Sequence, residues 1–300
     1  MRTSLLLPFV TLLLPAPPAG PPVPAAARWG ADGHRIVGAA AAAHLPEGLP
    51  AFVRRAGEQL AYLNYEPDRW RDRSFPAMDQ AFQYDHYIDL ENVPAPARQA
   101  DNRFAYLATL YRSTTLEHPE RDAGLLPWRI LELHERLVTG FRRWRNSRDP
   151  SERSWIEQRI LNDAGILGHY VADGSQPHHT TIHFNGWSPR APNPRGYATA
   201  RDLHRRFETD YVRAAIDPGD IVRRVPDAPH RLTDVRTAVW HYLDTTHRQV
   251  ETLYALEQAV GFDPEHPRPR TTDFVSERLV AGATMLRDLW WTAWLDSAVR

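Results

Sequence analysis

The sequence predicts an all-α protein folded as one helical bundle. Three observations carry that expectation. Apolar residues recur at intervals of three and four along most of the chain, the spacing of one helix face. No two alternating segments flank a tight turn, so no β-hairpin is expected. Neither a repeat nor an interdomain linker divides the 300 residues, a length suited to one large domain.

Each segment can be justified in order. Residues 1–27 read as a secretory leader: Arg2, a short apolar core over 5–14, and Ala25-Ala26-Ala27 as a small-residue cleavage site, with Arg28 completing the cleavage region. That apolar core is too short to span a bilayer, and a secreted or periplasmic location follows. The mature domain, residues 29–300, opens with Trp29-Gly30-Ala31-Asp32-Gly33-His34 and an Ala-rich helix that ends at Gly48 and Pro50. A second helix is expected over 51–62, then a loop or short turn at 66–72. An amphipathic helix over 102–116 should turn Phe104, Leu107, Leu110 and Tyr111 inward. Pro127 suits the first turn of a helix to about Arg145, with Ile130, Leu133, Leu137 and Phe141 inward. Ser151-Glu152 starts the next helix. Gly, Pro and Asn make 185–198 a long loop, and long loops of this type are often functional. Helices follow over 200–213, 232–260 and 272–298; Trp290, Trp291 and Trp294, at helical spacing in the last, read as core. The Arg142, Arg143, Arg145 and Arg148 cluster reads as a solvated helix end.

Composition narrows the chemistry. The net charge is −1 and every basic residue is Arg, which argues against electrostatic gripping of long nucleic-acid stretches. A pocket that takes one phosphate through metal ions remains compatible with it. With no cysteine, any metal site must use His, Asp, Glu or backbone, and most of the fourteen His lie close to acidic residues.

The most informative stretch is Gly168-His169-Tyr170-Val171-Ala172-Asp173-Gly174-Ser175-Gln176-Pro177-His178-His179. On a continuing helix His169 and Asp173, at i and i+4, point at one spot. Gly174 and Pro177 end that helix, and His179 returns from the turn. An imidazole and a carboxylate converging this way suit zinc, although single pairs of this kind also occur as surface hydrogen bonds. A second pair, His204 and Glu208, repeats the spacing. Asp68 and His86 lie upstream, and His34 lies near the mature start.

With these residues the chain resembles the superfamily that joins bacterial zinc-dependent phospholipase C to single-strand-specific nucleases of the S-one/P-one type. The resemblance runs from Trp29 to Glu208. Trp-Gly-x-x-Gly-His is the nuclease-type opening, His86-Tyr87-Ile88-Asp89 resembles the next ligand segment, and His169-x-x-x-Asp173-x-x-Gln176-Pro177-x-His179 is the most specific element. Glu208 looks more like the phospholipase, and Ser175 stands where the nucleases usually have His.

The resemblance implies an all-α fold with three Zn2+ ions per chain. The first would take Asp68, His86, His169 and Asp173, with Asp72 the alternative to Asp68. The second would take His179, His204 and Glu208. The third would take Trp29, through its α-amine and carbonyl oxygen, with His34 and Asp173, whose carboxylate would bridge two metals. His178 is then the neighbour of a ligand. Asp68 would also accept a proton from the attacking water, with Asp173 as the other catalytic residue. Arg71 and Asn185 are candidates for phosphate contact or for supporting the ligands from behind, and Trp187 for stacking a base or anchoring its loop.

Paired zinc ions suit phosphodiester hydrolysis by a metal-activated hydroxide. The expected activity is that of a secreted nuclease or endonuclease on single-stranded DNA or RNA. The alternatives are a phospholipase C acting on phospholipid head groups and a non-catalytic zinc-binding relative. No transmembrane segment and no obligate protein partner are indicated.

Overall fold

The computed structural model describes residues 30–298. The expected leader and Trp29 lie outside the described residues. The fold is all-α: 68% of the described residues are helical and no strand forms among them.

The central helix is Pro150–Ser175. Asp149 caps it by accepting from the Ser151 N–H at 2.8 Å, and Pro150 occupies the first turn, where a missing N–H costs nothing. Its second half is buried on all sides, from Asp163 to Ser175. Around it pack the helices Ala31–Ala43, Gly57–Leu63, Leu126–Asn146 and Pro269–Asp296. Leu60, Val37, Leu167, Val171, Leu286 and Leu289 are among the side chains that fill the space between them. Trp290 Nε1 donates to the Ala164 carbonyl at 3.1 Å, so the largest core side chain is also satisfied.

Gly165 and Gly168 decide how closely the Gly57–Leu63 helix approaches. A Cβ on Gly165 would lie 2.3 Å from Leu63 Cβ, and one on Gly168 would lie 2.2 Å from Asn64 Nδ2. These glycines therefore serve packing, and the approach they permit delivers the Asn64 carbonyl to the central helix.

Several expected elements differ. The helix over 51–62 is two, Ala51–Arg54 and Gly57–Leu63, and the loop at 66–72 begins with a short helix, Glu66–Arg69. Residues 232–260 also divide, into Val235–His247 and Val250–Ala259. The break at Arg248–Gln249 follows His247, whose Nδ1 donates to the Thr180 carbonyl at 2.8 Å. Pro218–Arg224 is an additional helix, capped by Asp217. The helix Arg103–Ser113 buries Tyr106 and Leu110, but Phe104 and Tyr111 are 76% and 56% exposed. Large apolar residues occur around most of this helix, so periodicity cannot choose its inner face. Tyr106 satisfies its hydroxyl on the Gly124 carbonyl, and Tyr111 reaches Glu120 at the surface.

Candidate metal centre

Helix geometry places His169 and Asp173 on one face of the last turns of the central helix, both fully buried. His169 Nδ1 donates to the Asn64 carbonyl at 2.9 Å. A carbonyl only accepts, so Nδ1 carries the proton and Nε2 presents a lone pair. His86 ends a short 3-10 helix, Gln83–His86, and its Nδ1 lies 2.9 Å from His169 Nε2 and 3.0 Å from Asp173 Oδ2. His34, on the first helix, stacks on His169 with centroids 4.0 Å apart and brings Nε2 within 3.6 Å of Asp173 Oδ1. Asp68, on the Glu66–Arg69 helix, lies 4.0 Å from His169 Nε2 and 3.9 Å from His34 Nε2.

The other half of the centre begins where the central helix ends. Pro177–Thr180 forms a 3-10 turn that returns His179 to the cluster. His179 Nδ1 donates to the His86 carbonyl at 2.8 Å, and the Ile88 N–H donates back to the His179 carbonyl at 2.8 Å. These reciprocal bonds tie the two ligand-bearing segments together. They leave His179 Nε2 facing His204 Nε2 at 3.1 Å and Glu208 Oε2 at 3.7 Å, while His204 and Glu208 approach to 3.0 Å. The segment expected as one helix is α-helical over Leu203–Arg205 and Val212–Ala215 but π-helical over Arg206–Tyr211. Single π-turns occur frequently at functional sites, and this one carries Glu208.

Three groups of side chains can therefore hold metal ions: His34, His169 and Asp173; Asp68, His86 and His169; and His179, His204 and Glu208. Within each, the ligand atoms lie within 4.8 Å of one another. The first two share His169. Asp173 faces both, and its Oδ1 also lies 3.2 Å from His179 Nδ1.

The donors fit a cation. His169 Nε2 and His179 Nε2 present lone pairs toward neighbouring nitrogens and carboxylates, an arrangement that repels unless positive charge lies between them. Asp173 Oδ1 and Glu208 Oε1 are buried without a hydrogen-bond donor. The His179 N–H nearest Asp173 Oδ1 is spent on the His86 carbonyl. Burial would raise the Asp173 pKa, yet the facing His179 and His169 hold it well below the ordinary carboxylate range. Glu208 is held down in the same way, burial being outweighed by His204 and His179. Burial opposes protonation of His179, but Asp173 and Glu208 push it up to about 10. Burial pushes His204 down. A metal ion held here would take the place of the proton that Asp173 and Glu208 otherwise favour on His179.

Behind these ligands lies a layer of supporting contacts. Asp85, beside His86, is buried and accepts from Arg129 and from Arg103 Nη1 at 3.1 Å; Arg103 also grips Glu132. Burial raises the Asp85 pKa against the pull of Arg129 and Arg103. His178 is buried against Phe207 and Tyr254, and burial drives its pKa far down, so it stays neutral beside the ligands. Sequence reasoning did not find the Asn64 carbonyl or the Asp85 network. Gly165 and Gly168, spaced along the face that leads to His169, were the available signal for the first.

Eight of the nine expected ligands are brought together; Trp29 lies outside the described residues. The next residue, Gly30, donates its N–H to the Glu208 carbonyl at 3.3 Å, so the described chain begins beside the third group. Of the two competing acids, Asp68 reaches the cluster, whereas Asp72 Oδ1 accepts from the Ser74 N–H at 2.9 Å. Arg71 pairs with Asp79 at 3.0 Å, which compensates its charge. Asn185 donates to the Arg201 carbonyl at 2.8 Å and accepts weakly from the His204 N–H at 3.4 Å, so it supports a ligand. Trp187 stacks on His183 with centroids 3.7 Å apart and donates to the Pro192 carbonyl at 2.9 Å. Tyr197 and Tyr254 pack beside it. These contacts anchor the ring to the 185–198 loop and its neighbours. Ser175 is buried and donates to the Ala172 carbonyl, turned to the helix rather than to a ligand role. No helix among the described residues is long and apolar enough to cross a membrane. Comparison of the chain with models of known protein families gives no match, and neither does comparison with curated proteins.

Proposed function

We propose that this chain is an exported zinc-dependent phosphodiester hydrolase that cuts single-stranded nucleic acid, holding three zinc ions when Trp29 is the first residue. The observation that supports the reading best is the sharing of ligands: His169 belongs to two of the three groups, and Asp173 faces residues of all three. Shared ligands imply adjacent metals, and adjacent metals suit a reaction whose charge builds on several phosphate oxygens. All-nitrogen and oxygen donors, rich in imidazole, suit zinc among the common ions. When bound, the ions supply Lewis acidity toward a water and a phosphoryl oxygen.

The chain's own residues then divide the work. Asp173 stays ionised and would help hold more than one of the ions. His169 and His179 are locked with Nδ1 on backbone carbonyls, which orients both rings and turns Nε2 toward the site. Asp68 is the cluster's most accessible carboxylate, its side chain 11% exposed against 3% or less for the other ligands, so its Oδ atoms accept the proton of the attacking water. The Trp29-Gly30-x-x-Gly33-His34 opening supports nucleic acid as the substrate.

The test is zinc analysis of the secreted protein, followed by assays on single-stranded DNA, RNA and phosphatidylcholine. About three zinc ions per chain are expected, with cleavage of DNA or RNA that a chelator abolishes. Hydrolysis of phosphatidylcholine without nucleic-acid cleavage replaces this reading with phospholipase C. Three bound zinc ions with no turnover on any substrate identify a non-catalytic relative.

A further inference from the structure

Gln176 belongs to the most specific motif of the sequence, yet it is assigned no metal and no step. It is fully buried between the end of the central helix and the π-helical segment. Its Oε1 accepts from the His178 N–H at 2.7 Å, which caps the 3-10 turn. Because that partner is a donor, the orientation of the amide is settled: oxygen toward His178, nitrogen toward the cluster. Nε2 then lies 3.1 Å from Glu208 Oε2 and 3.4 Å from His178 Nδ1. The same Glu208 oxygen lies 3.0 Å from His204 Nε2. One amide therefore ties the turn that carries His179 to the segment that carries His204 and Glu208.

We infer that Gln176 is a positioning residue for the metal site formed by His179, His204 and Glu208, acting through its Nε2–H bond to Glu208. Glu208 sits where the helix widens into a π-turn, so local geometry constrains its carboxylate less than an α-helix would. The neutral amide donor holds that carboxylate toward His179 and His204 without adding charge. Partners of this kind typically govern metal affinity by about 10–100-fold when removed. The side-chain hydrogen bonds of Gln176 go to His178 and Glu208, and its backbone bond to the Asp173 carbonyl survives substitution of the side chain, so loss of the amide should weaken one site and spare the others.

This inference rests on the metal reading proposed above, and the experiment separates the two. The full mature protein and two variants are titrated with zinc against a competing chromophoric chelator, and the metal-free forms are melted. Gln176→Met keeps the length and loses both hydrogen bonds. Gln176→Glu keeps the acceptor that caps the turn and replaces the donor to Glu208 with a carboxylate. Both should lose about 10–100-fold in affinity for one zinc equivalent and bind the rest as the wild type does. Adding His204→Ala to Gln176→Met should cost that equivalent nothing further than His204→Ala alone. Full wild-type affinity in Gln176→Glu, with loss only in Gln176→Met, would reduce Gln176 to a turn cap and overturn the inference. A loss spread evenly over all equivalents, tracking a lower melting temperature of the metal-free variants, would overturn it too. A wild-type protein that takes up no zinc would instead overturn the metal reading and this inference with it.

Discussion

Gly165→Ala probes how the packing of the bundle reaches the candidate metal centre. The new Cβ would lie 2.3 Å from Leu63 Cβ, an atom that cannot move without its backbone. Carbon atoms rest about 3.5–4.0 Å apart, so the Gly57–Leu63 helix must shift by roughly 1.2–1.7 Å. Asn64 follows directly, and its carbonyl would leave His169 Nδ1, now at 2.9 Å, beyond hydrogen-bonding reach. Overpacking costs about 1–3 kcal/mol, and replacing a helical Gly returns up to about 1 kcal/mol. The net loss of stability is therefore modest, about 0–3 kcal/mol. The functional loss should be larger: freeing a ligand imidazole costs about 10–100-fold in metal affinity. It should fall on the two groups that contain His169 and spare His179, His204 and Glu208. Zinc titration against a competing chelator measures this directly. Gly57→Ala is the control, because its Cβ would meet only Ala42 Cβ at an ordinary 3.6 Å. Wild-type zinc affinity in Gly165→Ala, or equal losses in the two variants, would refute the argument.

Three further outcomes follow from the same geometry. Asp173→Asn should lower zinc content by more than one equivalent, because its two oxygens face different ligand groups; wild-type zinc content by elemental analysis would overturn the bridging role proposed for Asp173. His134 is buried and held neutral, its pKa pushed down to about 4 by burial, so the unfolded chain binds its proton first as pH falls. Its contribution is fully present above about pH 6.5 and lost as pH drops toward 4, by about 3 kcal/mol; the stability of His134→Phe relative to wild type should improve by that order between pH 7 and 4 in denaturant titrations, and a pH-independent difference would contradict it. Trp187→Ala should destabilise the fold by about 2–3 kcal/mol, since the half-buried ring packs on His183, Tyr197 and Tyr254. Activity should then fall on every substrate together, whereas a raised KM on single-stranded DNA at unchanged melting temperature would restore the stacking role.

What was legible in the sequence is what short-range geometry encodes. Helical periodicity marks the long helices, Pro127 and Ser151-Glu152 fall in the first turns of two of them, and i,i+4 spacing puts His169 with Asp173 and His204 with Glu208 on common faces. Boundaries without Gly or Pro, such as the break at Arg248–Gln249, leave no local trace. Nor does the widening of Arg206–Tyr211 into a π-helix. The choice of Asp68 over Asp72 is likewise tertiary. Both acids lie within four residues of each other, and only the packing of the Glu66–Arg69 helix against the central helix points one inward while Ser74 occupies the other. Which nitrogen each histidine presents depends on carbonyls far away in the chain, Asn64 for His169 and His86 for His179. Residue spacing fixes the direction of a side chain relative to its own helix. Only close packing, set here in part by the bare backbones of Gly165 and Gly168, fixes the distance between helices and hence whether the six segments that carry these residues meet at one point.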